Sequence, residues 1–265
     1  MKHHLEEALQ DFTGNITIKG NTPAAVNLFV VDDECQKLNK KDMEIFHSIV
    51  AKLPFVGERA RPDIMAAIAF LTTRVSRSDE DNWKRLERLL SYVHNTHELK
   101  LTPSAESMSS VKWWVDTSYG VHQDMKSHAG GSLSLGRGVL FSKSTKQKLN
   151  SKSSTEAELA TSSEVLPQIL WTRYSLEDQG VDVRESVLYQ DNTNAIQLER
   201  NGKASGGQRT THINIIYFFI KDRVESREVT IMYCPTEDII ADFFTKPLQG
   251  IKFIRFRKSI MGFRK

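Results

Sequence analysis

The sequence predicts a mixed α/β fold, a sheet with helices packed on it, preceded by a smaller helical region. Three observations carry this. From residue 106 onward, short runs rich in β-formers alternate with longer helical ones in the order β-β-β-α-β-α-α-β-α. Before residue 105, two apolar stripes recur at helical spacing. A chain of 265 residues can bury one large core or two small ones, and the change of texture near residue 105 favours two.

The first fifty residues carry few signals. Gly14, Gly20, Asn21 and Pro23 interrupt any pattern, and Leu38 to Val50 is weakly helical. Arg61-Pro62-Asp63 is a good helix start, with proline in the first turn and an acid near the N-terminus. Ile64, Ala67, Ile68, Leu71 and Val75 then form one apolar stripe. After Ser78-Asp79-Glu80-Asp81, a capping region, Trp83, Leu86, Leu89, Leu90 and Val93 form a second. Lys84, Arg85 and Arg88 share the opposite face, which suits either plain solvation or the phosphates of a nucleic acid.

The strands begin with Val111-Lys112-Trp113-Trp114-Val115-Asp116. Gly130 to Leu135 and Val139 to Lys143 follow as a hairpin around Gly136-Arg137-Gly138. Ser153-Ser154-Thr155-Glu156 is a capping box, opening a long helix toward Gly180 that Pro167 should kink or split. Val187-Leu188-Tyr189 is a strand, Asn192 to Glu199 a short helix and Asn201 to Gly207 a Gly/Ser loop. His212 to Val224 is helical, Val229 to Cys234 a strand, and Ile239 to Phe244 begins a last helix. The expected divisions are 1–105, 106–250 and a basic tail at 251–265.

Composition narrows the function only slightly. A net charge of +3 and a pI near 8.7 permit a nucleic-acid partner without demanding one. Cys35 and Cys234 are too few and too far apart for a disulfide framework or a zinc site, which fits a reducing compartment. No apolar stretch follows Met1, and the longest apolar run, Ile64 to Leu71, is far short of a membrane span. The expectation is a soluble intracellular protein with no membrane partner.

Four acids stand where chemistry could use them. Asp116 ends the first strand, Asp191 ends the fourth, Glu156 or Glu158 lies in the first turns of the long helix, and Asp242 begins the last helix. Singly, each is as well explained by a cap or a turn. As a set they would converge at one sheet edge, repel one another and require bound cations. Oxygen ligands of this kind suit magnesium or manganese, and a pair of such ions is a standard device for cutting phosphodiesters. Glu156 sits where the cap needs it, while Glu158 lies about 200° further around the helix, so the metal falls to Glu158.

Together these motifs resemble the ribonuclease H of copia-type retrotransposons. The matching stretches are Trp114-Val115-Asp116-Thr117-Ser118-Tyr119, Ser153-Ser154-Thr155-Glu156-Ala157-Glu158-Leu159, Tyr189-Gln190-Asp191-Asn192, Arg209-Thr210-Thr211-His212-Ile213 and Ala241-Asp242-Phe243-Phe244-Thr245-Lys246-Pro247-Leu248. Upstream, Arg61-Pro62-Asp63-Ile64 and Trp83-Lys84-Arg85-Leu86 are similar to the thumb-like end of the family's reverse transcriptase.

The resemblance implies a ribonuclease H-like fold behind a helical polymerase remnant, and hydrolysis of the RNA strand of an RNA–DNA hybrid. It implies two Mg²⁺ ions, with Mn²⁺ able to substitute. Asp116 would bridge both, Glu158 and Asp191 would complete one, and Asp242 the other. Lys84, Arg85, Arg88, Arg209 and His212 would contact nucleic acid, raising the phosphate reading of the basic helix. The polymerase fingers and palm would lie elsewhere in the polyprotein, in the cytoplasm, the nucleus or a virus-like particle. Phe29-Val30-Val31-Asp32-Asp33 is no polymerase site, because polar, non-alternating residues follow and the acid pair reads as a turn. Two departures stand out. Pro235-Thr236-Glu237-Asp238 holds no histidine where cellular and retroviral relatives carry a histidine loop, and Ile216 replaces a frequent arginine. The competing expectation is a domesticated fragment that clamps hybrids without cutting them.

Overall fold

The computed structural model describes residues 2–16, 20–201 and 211–263. Its first region holds helices α1 (Lys2–Asp11), α2 (Lys40–Arg59), α3 (Met65–Thr72) and α4 (Glu80–Asn95). α1 lies where the sequence shows no helical pattern. Leu5, Ala8 and the following Phe12 turn inward, so packing against α2 supplies what local propensity does not. α2 begins at Asn39, whose side chain accepts from the Asp42 amide, and runs beyond Val50 to Arg59. α4 starts at Asp79, which accepts from the Asn82 amide at 2.8 Å, and buries Leu86, Leu89, Leu90 and Val93 as the stripe requires.

α3 departs from its expected single stripe. Every residue from Met65 to Leu71 is buried, because the helix is wedged between α2 and α4 on one side and the sheet on the other. A helix hidden all round has no polar face to keep. Asp32 Oδ1 accepts from the Glu34 amide at 3.0 Å, the polar turn that the residues after it suggest.

Further along are β1 (Ser104–Ala105), β2 (Ser110–Ser118), β3 (His128–Ser134), β4 (Gly136–Arg137), β5 (Phe141–Lys146), β6 (Glu185–Gln190) and β7 (Thr230–Tyr233). Among the described residues, five of these form one sheet in the order β5-β3-β2-β6-β7. β5, β3 and β2 are antiparallel, and β6 and β7 continue the sheet in parallel. β4, part of the expected hairpin connection, pairs instead with β1. The helices are α5 (Ser154–Asp178), α6 (Thr193–Asn201), α7 (Thr211–Glu225), α8 (Asp242–Thr245) and α9 (Gly250–Met261). A mixed sheet with helices packed on it is the α/β architecture that the sequence predicts.

Alternation decides which face is covered. Val111, Trp113 and Val115 point to one side of β2 and meet Leu159, Val165, Leu166 and Ile169 of α5. α5 stays a single helix through Pro167, with buried Val165, Leu166, Ile169 and Leu170 anchoring it on both sides of the missing amide.

The C-terminal end differs from expectation. Asp242 opens a helix where Ile239 to Phe244 was expected to begin one, but this helix, α8, is a single turn and is not the last. Residues 251–261 of the expected basic tail belong to α9, whose Phe253, Phe256, Ile260 and Met261 join the core of the first region. Gly262 ends it in the left-handed conformation at φ 78°, and a Cβ there would lie 2.1 Å from the Thr102 carbonyl oxygen. Residues 264–265 of that tail and most of the Gly/Ser loop lie outside the described residues.

A buried histidine pair joins the two regions. Ser144 Oγ donates to the Phe244 carbonyl at 2.6 Å, so it can only accept from His128 Nε2, 2.8 Å away. His128 Nδ1 is then the acceptor for His122 Nε2 at 3.0 Å. The Phe29 ring, from the first region, lies 5.1 Å from His122 and 5.0 Å from His128. Burial pushes His128 down to about 3, with the neighbouring His122 adding to the shift. Because this folded value lies below the unfolded one, the neutral ring stabilises the fold fully above about pH 6.5. That stability drains as pH falls toward the folded value, at up to about 1.4 kcal/mol per pH unit. Denaturation midpoints at pH 7 and pH 5 should therefore differ more for the wild type than for His128→Gln. Parallel losses in the two proteins would refute this account.

Candidate metal centre

The parallel register of β2 and β6 positions two of the acids. Trp114 pairs with Tyr189, so two residues further Asp116 and Asp191 stand level at the outgoing ends of neighbouring strands. On the other side of β2, Asp116 faces Gly130 of β3. A Cβ at Gly130 would lie 2.6 Å from Thr245 Cγ2 and 2.9 Å from Phe244 Cβ. The bare glycine lets α8 settle against the sheet and bring Asp242, Thr245 and Lys246 beside Asp116.

The glutamate choice turns on helix phase. Ser153 Oγ accepts from the Glu156 amide at 3.2 Å, and Glu156 Oε2 accepts from the Lys152 amide at 2.9 Å. Glu156 is thus held in the cap. Glu158 points into the protein, where Oε1 accepts from the Thr117 amide at 3.2 Å and Oε2 is buried without a partner. One carboxylate oxygen from each of Asp116, Glu158 and Asp191 lies within 4.8 Å of the others.

Asp242 stands slightly apart and is answered by cations. Lys246 Nζ bonds Asp242 Oδ1 and lies 3.3 Å from Asp116 Oδ1, while Lys252 Nζ donates to Asp242 Oδ2 at 2.9 Å. Thr245 Oγ1 donates to Asp116 Oδ2. Asp191, the most open of the acids, accepts from Thr236 Oγ1 at 2.8 Å. Thr236 belongs to the segment Pro235-Thr236-Glu237-Asp238, which holds no histidine.

Burial dominates the electrostatics. It pushes Asp116 up to about 6; Lys246 pulls the other way, and Asp242 and Asp191 push further up. Glu158 is raised well above the usual carboxylate range by burial, and then by Asp116 and Asp191. Burial opposes the charge on Lys246, but Asp116 and Asp242 outweigh it and raise the ammonium above its ordinary value. Three crowded acids, one with an unpartnered buried oxygen, fit a hard divalent cation better than they fit one another.

The expected nucleic-acid contacts fare unevenly. Lys84 is exposed. Arg85 and Arg88 do not form the solvated face expected of them. Arg85 donates to the carbonyls of Asn27, Leu28 and Val30 and pairs with Asp81, and Arg88 donates to Thr22. Their guanidinium groups fasten residues 22–30 onto α4. His212 falls in the first turn of α7, and Arg209 lies outside the described residues. The sequence reading passed over Thr245, Lys246 and Lys252. Lys246 follows Asp242 by four residues, a helix-face signal that was there to find. Lys252 had none, since it reaches the site only because α9 turns back.

No protein-family model matches the chain. It is 30% identical over 222 residues to the Retrovirus-related Pol polyprotein from transposon RE2 of Arabidopsis thaliana, covering 81% of this chain and 15% of the relative. It is 25% identical over 265 residues to the corresponding polyprotein from transposon TNT 1-94 of Nicotiana tabacum, covering 98% of this chain and 20% of the relative. Its homologues are thus copia-type Pol polyproteins, and the chain spans 15% and 20% of the length of these two. Among solved structures it is similar to LC11-RNase H1, isolated from compost by a metagenomic approach, at 13% identity and a TM-score of 0.37, covering 51% of this chain and 91% of that one. It is also similar to the foamy viral protease-reverse transcriptase in complex with dsDNA, at 12% identity and a TM-score of 0.46, covering 89% of this chain and 42% of that one. Among the described residues no helix is long and apolar enough to cross a membrane.

Proposed function

We propose that this stretch of copia-type Pol sequence hydrolyses the RNA strand of RNA–DNA hybrids. Residues 106–250 form the ribonuclease H part and residues 1–105 the thumb-like end of the reverse transcriptase. The observation that carries the reading is the three-acid cluster with an unpartnered, buried Glu158 oxygen. Asp116, Glu158 and Asp191 are the residues that would hold one divalent cation, and Asp116 with Asp242 those that would hold a second, Mg²⁺ by the hardness of the donors and Mn²⁺ as a substitute. Bound there, such cations would supply activation of water and charge for the leaving oxygen.

The chain's own residues set the geometry. Thr117 fixes the Glu158 carboxylate through its amide, and Thr236 fixes Asp191. Thr245 orients Asp116, and the single turn of α8 presents Asp242. In the reaction a bond forms from water oxygen to phosphorus, and the bond from phosphorus to the 3′-oxygen breaks. A 5′-phosphate and a 3′-hydroxyl remain. Recognition relies on 2′-hydroxyls and phosphates with little reading of bases, so Arg209 and His212 are proposed as hybrid contacts. Lys84 can reach a phosphate, whereas Arg85 and Arg88 are already engaged. The fingers and palm come from elsewhere in the polyprotein, in the cytoplasm or a virus-like particle.

The test is incubation of the purified chain with end-labelled hybrid and end-labelled duplex DNA, in magnesium and in EDTA. Cleavage of the hybrid alone, abolished by EDTA, is expected. Equal cleavage of both duplexes overturns the substrate, and tight binding without cleavage supports a clamp instead of a nuclease.

A further inference from the structure

Three of the acids face one another, and the fourth faces lysines. Asp242 directs both carboxylate oxygens at ammonium groups, Oδ1 to Lys246 and Oδ2 to Lys252. Lys246 Nζ also lies 3.3 Å from Asp116 Oδ1, so one ammonium spans the two carboxylates that a second divalent ion would have to span. Both carboxylates are nearly sealed from solvent, with Asp116 2% and Asp242 1% exposed. Two buried negative charges so close together need a positive charge between them, and Lys246 provides it.

We infer that Lys246 is a built-in counter-cation occupying the second ion's place, so that the chain takes up one divalent ion tightly and admits another only when this ammonium withdraws. The inference rests on the proposed metal site. Three features make the exchange feasible. Lys246 caps the end of α8, and its amide donates to the Asp242 carbonyl at 2.9 Å, which holds the pair one turn apart. Its side chain is 37% exposed, which leaves it a path to water. Lys252 stays on Asp242 Oδ2 when Lys246 leaves, so Asp242 is not stranded without a partner. An ammonium and a divalent ion at this separation repel strongly in a partly buried site, so they do not share it. Lys246 thereby acts as a positioning residue: it holds the Asp116 and Asp242 carboxylates oriented before metal arrives, and it makes the second ion the weaker one.

The experiment is titration of the metal-free chain with Mn²⁺, counting ions by calorimetry and by the resonance signal of free Mn²⁺. The wild type should bind one ion per chain tightly and the second at least about tenfold more weakly. Lys246→Met should raise the second affinity by about that factor and lower the melting temperature in EDTA, with Mn²⁺ restoring it. Lys246→Arg keeps the charge and should retain the wild-type inequality. If Lys246→Met does not fold without metal, it is refolded in Mn²⁺ and the ions are counted. Two support the inference, and one overturns it. Two equal sites in the wild type, or an unchanged second affinity in Lys246→Met, overturn the lysine's role while leaving the metal site standing. No ion bound by either protein overturns both.

Discussion

Replacing Glu158 with glutamine is expected to reduce hybrid cleavage by at least about a hundredfold, since even outer partners of a metal ligand cost 10–100-fold when lost. The fold should survive. Glu158 is buried beside two other acids, and burial already opposes its ionised form. A neutral amide of the same shape removes that opposition, so the metal-free variant should be at least as stable as the wild type. Glu156→Gln should behave in the opposite way. It touches only the helix cap, so cleavage should persist and stability should fall by at most about 1 kcal/mol. Single-turnover rates on a labelled hybrid, with melting temperatures in EDTA, separate the two. An active Glu158→Gln would remove this residue from the centre.

A second large effect is expected far from the acids. Arg61 and Asp63 form a buried bidentate pair, with both N–H···O distances at 2.8 Å. Tyr92 Oη donates to Asp63 Oδ2 at 2.7 Å, and Arg61 also donates to Thr96 Oγ1 at 2.8 Å. Arg257 of α9 reaches the same Tyr92 hydroxyl at 3.2 Å. Asp63→Asn leaves the arginine charged in a site water cannot enter, which should cost about 3–5 kcal/mol in urea denaturation. The double replacement Arg61→Met with Asp63→Leu removes both charges and should recover most of that loss. If the double variant is as unstable as the single one, the hydrogen bonds to Tyr92 and Thr96 matter more than the charges.

How much of this was legible in the sequence depends on how local each determinant is. The Glu156/Glu158 choice could be made from helix arithmetic, because a cap and an angular offset are properties of a few consecutive residues. The strands that carry Asp116 and Asp191 could be located from β-formers and turn residues, but their side-by-side place in the sheet depends on pairing across some 75 residues. α9 was not recognised, although Phe253, Phe256, Ile260 and Met261 are spaced for a helix face. Lys252, Arg255, Arg257 and Lys258 interleave with them and gave the segment the look of a solvated tail. Arg85 and Arg88 misled for the converse reason. Their positions on α4 were right, but the carbonyls they bind come from residues 22–30, more than fifty positions away. Lys246 lay within a quoted motif, yet its bond to Asp116 crosses 130 residues and no local pattern announces it.

The return of α9 to the first region has a consequence for synthesis. During synthesis Phe46, Leu53, Leu86 and Leu90 emerge well before the phenylalanines that complete their core, which come more than 150 residues later. The first four helices must therefore wait, partly uncovered, while the whole sheet is made and folded. Such distant closure slows folding and lengthens the interval in which apolar surface can meet other nascent chains. The core of the first region is therefore completed only after α9 has been made.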